Sequence, residues 1–302
     1  MSEPDAPAPA ETPIAAPAGS SIGGAVGTAV AMLVLGFGIL IVAPSAVRTP
    51  DASLRFALTQ ALKMVFGFAL THLVLVRLRK LAPERLGLRF DVALLGRLGV
   101  GSALGAGLVV ASFCIAWGAG AFVVAGAPVE TSPSGTAAAL LAVGSLCGAL
   151  FEELVFRVGL TGVLALALPP GLAIAAPAGI FGLVHALNPG ATTVGVANTM
   201  LAGLLLGFLF YDPKAARTPS LGMATGFHFA WNFVLGTALG VPVSGHLPIR
   251  SYLVSEPTDV TWSGGSYGLE GSIGVSAVLV IAVVLAARRA RLPAPPVTAA
   301  AQ

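Results

Sequence analysis

Residues 137–164 read AAALLAVGSLCGALFEELVFRVGLTGVL, and this stretch decides how the rest of the chain is read. It is apolar for longer than the roughly 20 residues that cross a bilayer. Yet it carries Glu152, Glu153 and Arg157. Of the 13 acidic residues in the chain, Glu152 and Glu153 are the pair that falls inside an apolar segment. A charge at bilayer depth is costly unless it is paired or hydrated, so such residues mark a functional site by default.

The rest of the composition agrees with a membrane setting. The chain is 56% hydrophobic and only 10% charged, with a mean hydropathy of +0.91. A soluble domain carries about 25% charged residues, so there is too little charge here to cover a water-facing surface. A β-barrel is excluded because the apolar runs are continuous rather than alternating. The fold class expected is all-α, a polytopic transmembrane helical bundle of about eight spans, near 23–43, 56–76, 98–125, 137–164, 171–187, 191–211, 219–241 and 271–287. Pro169-Pro170 separates the fourth from the fifth, since proline lacks the donor a helix interior needs. Residues 1–20 hold no Lys or Arg, lack the positive region of a signal peptide and read as a disordered tail. Four regions are expected: that tail, spans and a basic loop over 21–97, a membrane core over 98–241, and an outer loop, last span and tail over 242–302.

Charge distribution orients the bundle. Arg77, Arg79, Lys80, Arg85, Arg89 and Arg97 lie between spans two and three, Lys214 and Arg217 between six and seven, and Arg288, Arg289 and Arg291 after the last. With both termini cytoplasmic, all of these face the cytoplasm and only Arg48, Arg55 and Arg250 face outward, as the positive-inside rule requires. The basic loop touches lipid headgroups; the net charge of +3 does not call for nucleic acid. Cys114 and Cys147, far apart in apolar spans, read as small buried residues.

Two further polar signals sit at helical spacing. Phe181 and His185 share a face of the fifth span, and His228 and Asn232 share a face of the seventh. In the fourth, Glu153 and Arg157 are four apart and can pair, while Glu152 points about 100° away and is free to face a cavity. At about 1.5 Å per residue, Glu152, His185 and His228 lie roughly 18, 21 and 14 Å from the cytoplasmic ends of their spans, similar depths near the middle. Peptide hydrolysis needs a base for water and donors for the developing oxyanion, and these residue types supply both. A glutamate with two histidines also matches a zinc ligand set, although no H-E-x-x-H helix is present.

The three motifs, E-E-x-x-x-R, F-x-x-x-H and H-x-x-x-N, in this order and on separate spans, resemble those of the CAAX protease and bacteriocin-processing (CPBP) family of intramembrane endopeptidases, which includes the Ras-converting prenyl protease. The resemblance covers roughly residues 90–241. It implies that Glu152 is the general base for a water, that His185 helps hold that water, and that His228 and Asn232 stabilise the oxyanion. It further implies that Glu153 and Arg157 form a supporting ion pair, that Phe181 shapes the cavity wall, and that the mechanism is metal-free. A zinc-dependent variant would use Glu152, His185 and His228. The expected partners are membrane lipid and a membrane-associated protein or peptide substrate, with no nucleic acid, and the cavity is expected to open toward the cytoplasm or sideways to lipid. The Ala, Gly and Pro content suggests a GC-rich bacterial source and an inner-membrane location, which favours membrane-bound peptides, bacteriocin precursors or single-span regulators over prenylated substrates. A catalytically silent scaffold or immunity factor, and a proton-coupled transporter, are the competing classes. Lys63 is expected to snorkel, Asn198 to join helices, and His246 to sit in solvent.

Overall fold

The computed structural model describes residues 21–211 and 219–290; the expected tail over 1–20 and the basic residues Lys214, Arg217 and Arg291 lie outside them. Eight long helices run alternately up and down: α1 (Ile22–Ala46), α2 (Ala52–Thr71), α3 (Val92–Gly118), α4 (Gly135–Glu153), α5 (Pro170–His185), α6 (Thr193–Phe210), α7 (Leu221–Phe233) and, after the short α8 (Val260–Ser263), α9 (Ile273–Ala290). Five of the apolar stretches, 22–46, 52–78, 92–118, 135–162 and 193–210, are long and apolar enough to cross a membrane. Side-chain caps fix most helix starts: Asp51 accepts from Leu54 N, Asp91 from Leu94 N, Ser134 from Ala137 N and Thr192 from Gly195 N. Three helices continue into wide π-helical turns, at His72–Leu78, Leu154–Gly162 and Val234–Ala238. The second begins directly after the glutamate pair, and such turns often mark functional sites.

One expected span differs. The segment read as 98–125 is helical from Val92 only to Gly118. Gly120 then turns with φ +79°, and β1 (Phe122–Gly126) pairs antiparallel with β2 (Leu253–Pro257), Val124 opposite Ser255. Phe122-Val123-Val124 is as apolar as a helix, and hydropathy alone cannot separate the two. The ribbon ties loop 119–134 to loop 239–272, so loop 239–272 is a built structure.

Close helix approach holds the bundle together. Gly101 and Gly105 on α3 face the backbone of Met223 and Phe227 on α7, while Gly226 faces Leu98 on α3. A Cβ at any of these would overlap main-chain atoms. Small residues four apart are how helices pack without a hydrophobic force between them in lipid. The buried share of the most apolar window is 50% in 135–162 and 193–210 but 28% in α1, 52–78 and α3, so α4 and α6 are central and the others face outward.

This packing makes a prediction. Gly105→Val forces α3 off α7 and lowers stability by about 1–3 kcal/mol, the usual cost of overpacking, whereas Gly107→Ala, which meets nothing within 4 Å, is neutral. Thermal unfolding in detergent checks both.

Candidate active site

The charges in α4 are met by partners from three other helices. Glu153 is 0% exposed and Arg157 2%. Arg157 Nε lies 3.1 Å from Glu153 Oε2, one helical turn back. The guanidinium also donates to the Gly203 carbonyl of α6 (3.4 Å), and its carbon sits 4.8 Å from the ring centre of Phe181 on α5. The other carboxylate oxygen, Glu153 Oε1, accepts from His228 Nδ1 of α7 at 2.9 Å. Glu153 is therefore shared between an arginine on its own helix and a histidine on another. Sequence spacing anticipated the first contact and not the second, because nothing in the sequence states which helices lie side by side.

That hydrogen bond sets the imidazole. With Nδ1 bound to Glu153, His228 Nε2 faces Glu152 Oε2 at 3.7 Å, beyond hydrogen-bond distance. Glu152 Oε2 has no hydrogen-bond partner among the described residues. On α5, His185 Nδ1 donates to the Phe181 carbonyl at 2.7 Å, so Nε2 is the ring's free acceptor. The Phe181 ring lies 4.4 Å from His185 and 6.1 Å from His228, and meets Phe156 edge-on at 4.9 Å. Phe181 thus separates and orients both imidazoles besides stacking on Arg157.

Glu152, Phe181, His185, His228 and Asn232 all line one cavity of about 540 Å³. Glu153 and Arg157 stand behind its wall. Asn232 lies one turn beyond His228 on the same face of α7. The floor is formed by Glu152, Phe156, Leu206 and His228, and the rim by Asn188, Ser244 and 246–250. His246 is exposed, as expected, and also sits on that rim.

Several residues near the site were not singled out. Lys63 does not snorkel: it is 8% exposed, lines the cavity and makes no hydrogen bond or ion pair with a described residue. Its position follows from how α2 packs on α4. Phe56 fills the space beside Gly144, Gln60 that beside Gly148, and Phe151 that beside Gly67. The two helices run parallel and advance in step, which brings Lys63 level with Glu152. Glu270, before α9, accepts from Trp231 Nε1 (3.0 Å) and from Ser244 Oγ (2.9 Å) and N, pinning the rim to α7. Asn198 donates to the carbonyls of Glu270 and Ser272 and accepts from Ser276 Oγ, so it joins α6 to α9 as expected. Tyr267 packs on Gly195 and bonds Thr199 Oγ1 at 3.1 Å; burial, then the nearby Glu270 charge, pushes its phenol up, keeping it a neutral donor.

Among the described residues no three His, Cys, Asp or Glu side chains converge as a metal would require. The set Glu152, His185 and His228 does not form such a group in this structure.

Residues 134–234 match the family model described as type II CAAX prenyl endopeptidase Rce1-like. The match runs from the N-cap of α4 into the π-helical turn after α7 and contains every motif residue named above. The apolar helices and this match support an integral membrane protein that is similar, over residues 134–234, to CAAX-type intramembrane proteases. This chain carries an Rce1-like domain, in agreement with the resemblance of its motifs to the CAAX protease family. No curated protein matches the chain.

The shared carboxylate yields a test. Arg157→Met leaves Glu153 buried without its cation and destabilises the protein by roughly 3–5 kcal/mol. Adding Glu153→Gln relieves the uncompensated charge, so the double variant unfolds at a higher temperature than Arg157→Met alone.

Proposed function

We propose that the protein is an intramembrane endopeptidase that hydrolyses peptide bonds of membrane-associated protein or peptide substrates without a metal, in a bacterial inner membrane with both termini cytoplasmic. The observation that carries this reading is the meeting of Glu152, His185, His228 and Asn232, from three helices, on one cavity. Each has a role its surroundings support. Glu152 Oε2, unengaged by protein donors, takes a proton from water. The free His185 Nε2 accepts a hydrogen bond from the same water. The hydroxide oxygen bonds to the substrate carbonyl carbon, and the charge that develops on the carbonyl oxygen is met by Asn232 and by the Nε2–H of His228, which acts as an imidazolium with its other proton directed at Glu153. The C–N bond then breaks, the proton held by Glu152 passes to the leaving amine, and a carboxylate and an amine are released. Glu153 keeps His228 oriented through Nδ1, and Arg157 and Phe181 hold that arrangement from behind. Lys63 on α2, level with Glu152, lines the same cavity.

The test is a comparison of peptide termini in membranes expressing wild type and Glu152→Gln. Termini unique to wild type are expected, with cleavage by the variant down roughly 10²–10⁴-fold. Identical termini from both would instead favour the silent scaffold. Chelator leaves the wild-type rate unchanged under the metal-free reading, and loss of activity restored by zinc would overturn it. Lys63→Met lowers kcat/KM about tenfold, the effect of ~1.4 kcal/mol, and Lys63→Arg retains most of it.

A further inference from the structure

The cavity has a direction. The loops at one end of the bundle, 47–51, 119–134, 186–192 and 239–272, form one face, and the basic segment 79–91 belongs to the other. Cavity-lining residues start at Gly36 in α1, stop at Lys63 in α2 and at Phe156 in the fourth span, and include the last turn of α5 and the first two turns of α9. Each of these limits lies on the side of the ribbon-bearing loops. No residue of 77–97 or 163–170 lines it. Beneath the floor, Leu75, Leu86, Leu154, Val158 and Phe210 are all 0% exposed and belong to one packed cluster. The site is closed toward one face by a solid apolar layer and reaches the other through its rim.

The two faces differ in charge. The closed face carries Arg77, Arg79, Lys80, Arg85, Arg89, Arg97, Arg288 and Arg289 among its described residues, against Glu84 and Asp91. The open face carries Arg48, Arg55 and Arg250, against Asp51, Glu130, Glu256, Asp259 and Glu270. Lysine and arginine near span ends stay in the cytoplasm, which makes the closed face cytoplasmic.

We propose that the cavity opens to the non-cytoplasmic side, and that its substrates are polypeptide segments already across the membrane: extracytoplasmic juxtamembrane stretches of membrane proteins, or peptides bound at the outer leaflet. This rests on the protease reading for what happens inside the cavity, but not for its direction. The rim suits such a chain. Leu247, at 80% exposed, and Ile249, at 39%, offer apolar contacts at the water–lipid boundary. Arg250 is tied back to the Glu130 carbonyl at 2.8 Å, which braces the rim from loop 119–134.

The test uses the full chain in cell membranes with Cys114→Ser and Cys147→Ala as background. Single cysteines are placed at the rim (Leu247→Cys), on the cavity wall (Ser145→Cys) and in the basic loop (Glu84→Cys). A membrane-impermeant maleimide is added to intact spheroplasts and to lysed membranes. Leu247→Cys and Ser145→Cys should label in intact spheroplasts, and Glu84→Cys only after lysis. Labelling of Glu84→Cys in intact spheroplasts, or of Ser145→Cys only after lysis, would overturn the proposal. The readout is independent of activity, so outward labelling together with identical termini from wild type and Glu152→Gln would sink the protease reading and leave the direction standing. A single-span reporter carrying a cleavable segment on its outer side should be cut, and one carrying it on its cytoplasmic side should not.

Discussion

A carboxylate with no exposed surface, Glu153, is gripped by Arg157 on one oxygen and His228 on the other. A buried ion pair of this kind is weak evidence for stability, because desolvation consumes most of the Coulombic gain. Its value here is geometric. One group joins α4 to α7, while the guanidinium it holds reaches α5 through Phe181 and α6 through Gly203. Four helices are thereby set in register at the depth where Glu152 meets the cavity. The neighbouring Glu152 is then left without a protein donor on Oε2, which is the state a base needs. Two adjacent glutamates have opposite fates because they point about 100° apart around the helix.

The surrounding bundle serves this contact. Between α3 and α7 the backbones approach at Gly101, Gly105 and Gly226, so the helix bearing His228 and Asn232 cannot shift sideways. Glu270 holds the other side of α7 through Trp231, and Asn198 fixes the turn that carries Glu270. The site is thus braced from α3, α6 and loop 239–272, the first and last of which fall outside the matched stretch 134–234.

Much of this was legible in the sequence, for a physical reason. Helical spacing is fixed at 3.6 residues per turn, so Glu153 with Arg157, Phe181 with His185 and His228 with Asn232 could be placed on shared faces from numbering alone. Long apolar runs likewise announced the eight long helices. Contacts between helices were not legible. The Glu153–His228 bond, the level of Lys63 beside Glu152 and the role of Glu270 depend on lateral packing, which periodicity does not encode. The β-ribbon escaped because a short apolar strand and the end of an apolar helix have the same hydropathy. The packed layer under the site was not legible either: residues equally spaced along three helices mark a depth, but Leu75, Leu86, Leu154, Val158 and Phe210, which close one end of the cavity, look like any other apolar residues in the sequence.

The most direct measurement of the central claim is an experimental structure of the Glu152→Gln protein with an uncleaved peptide bound. The account predicts the scissile carbonyl carbon beside the residue-152 side chain, its oxygen turned to His228 Nε2 and Asn232, and Glu153 still bridging His228 and Arg157. A peptide bound elsewhere, or a His228 ring released from Glu153 and turned away from the carbonyl, would contradict it.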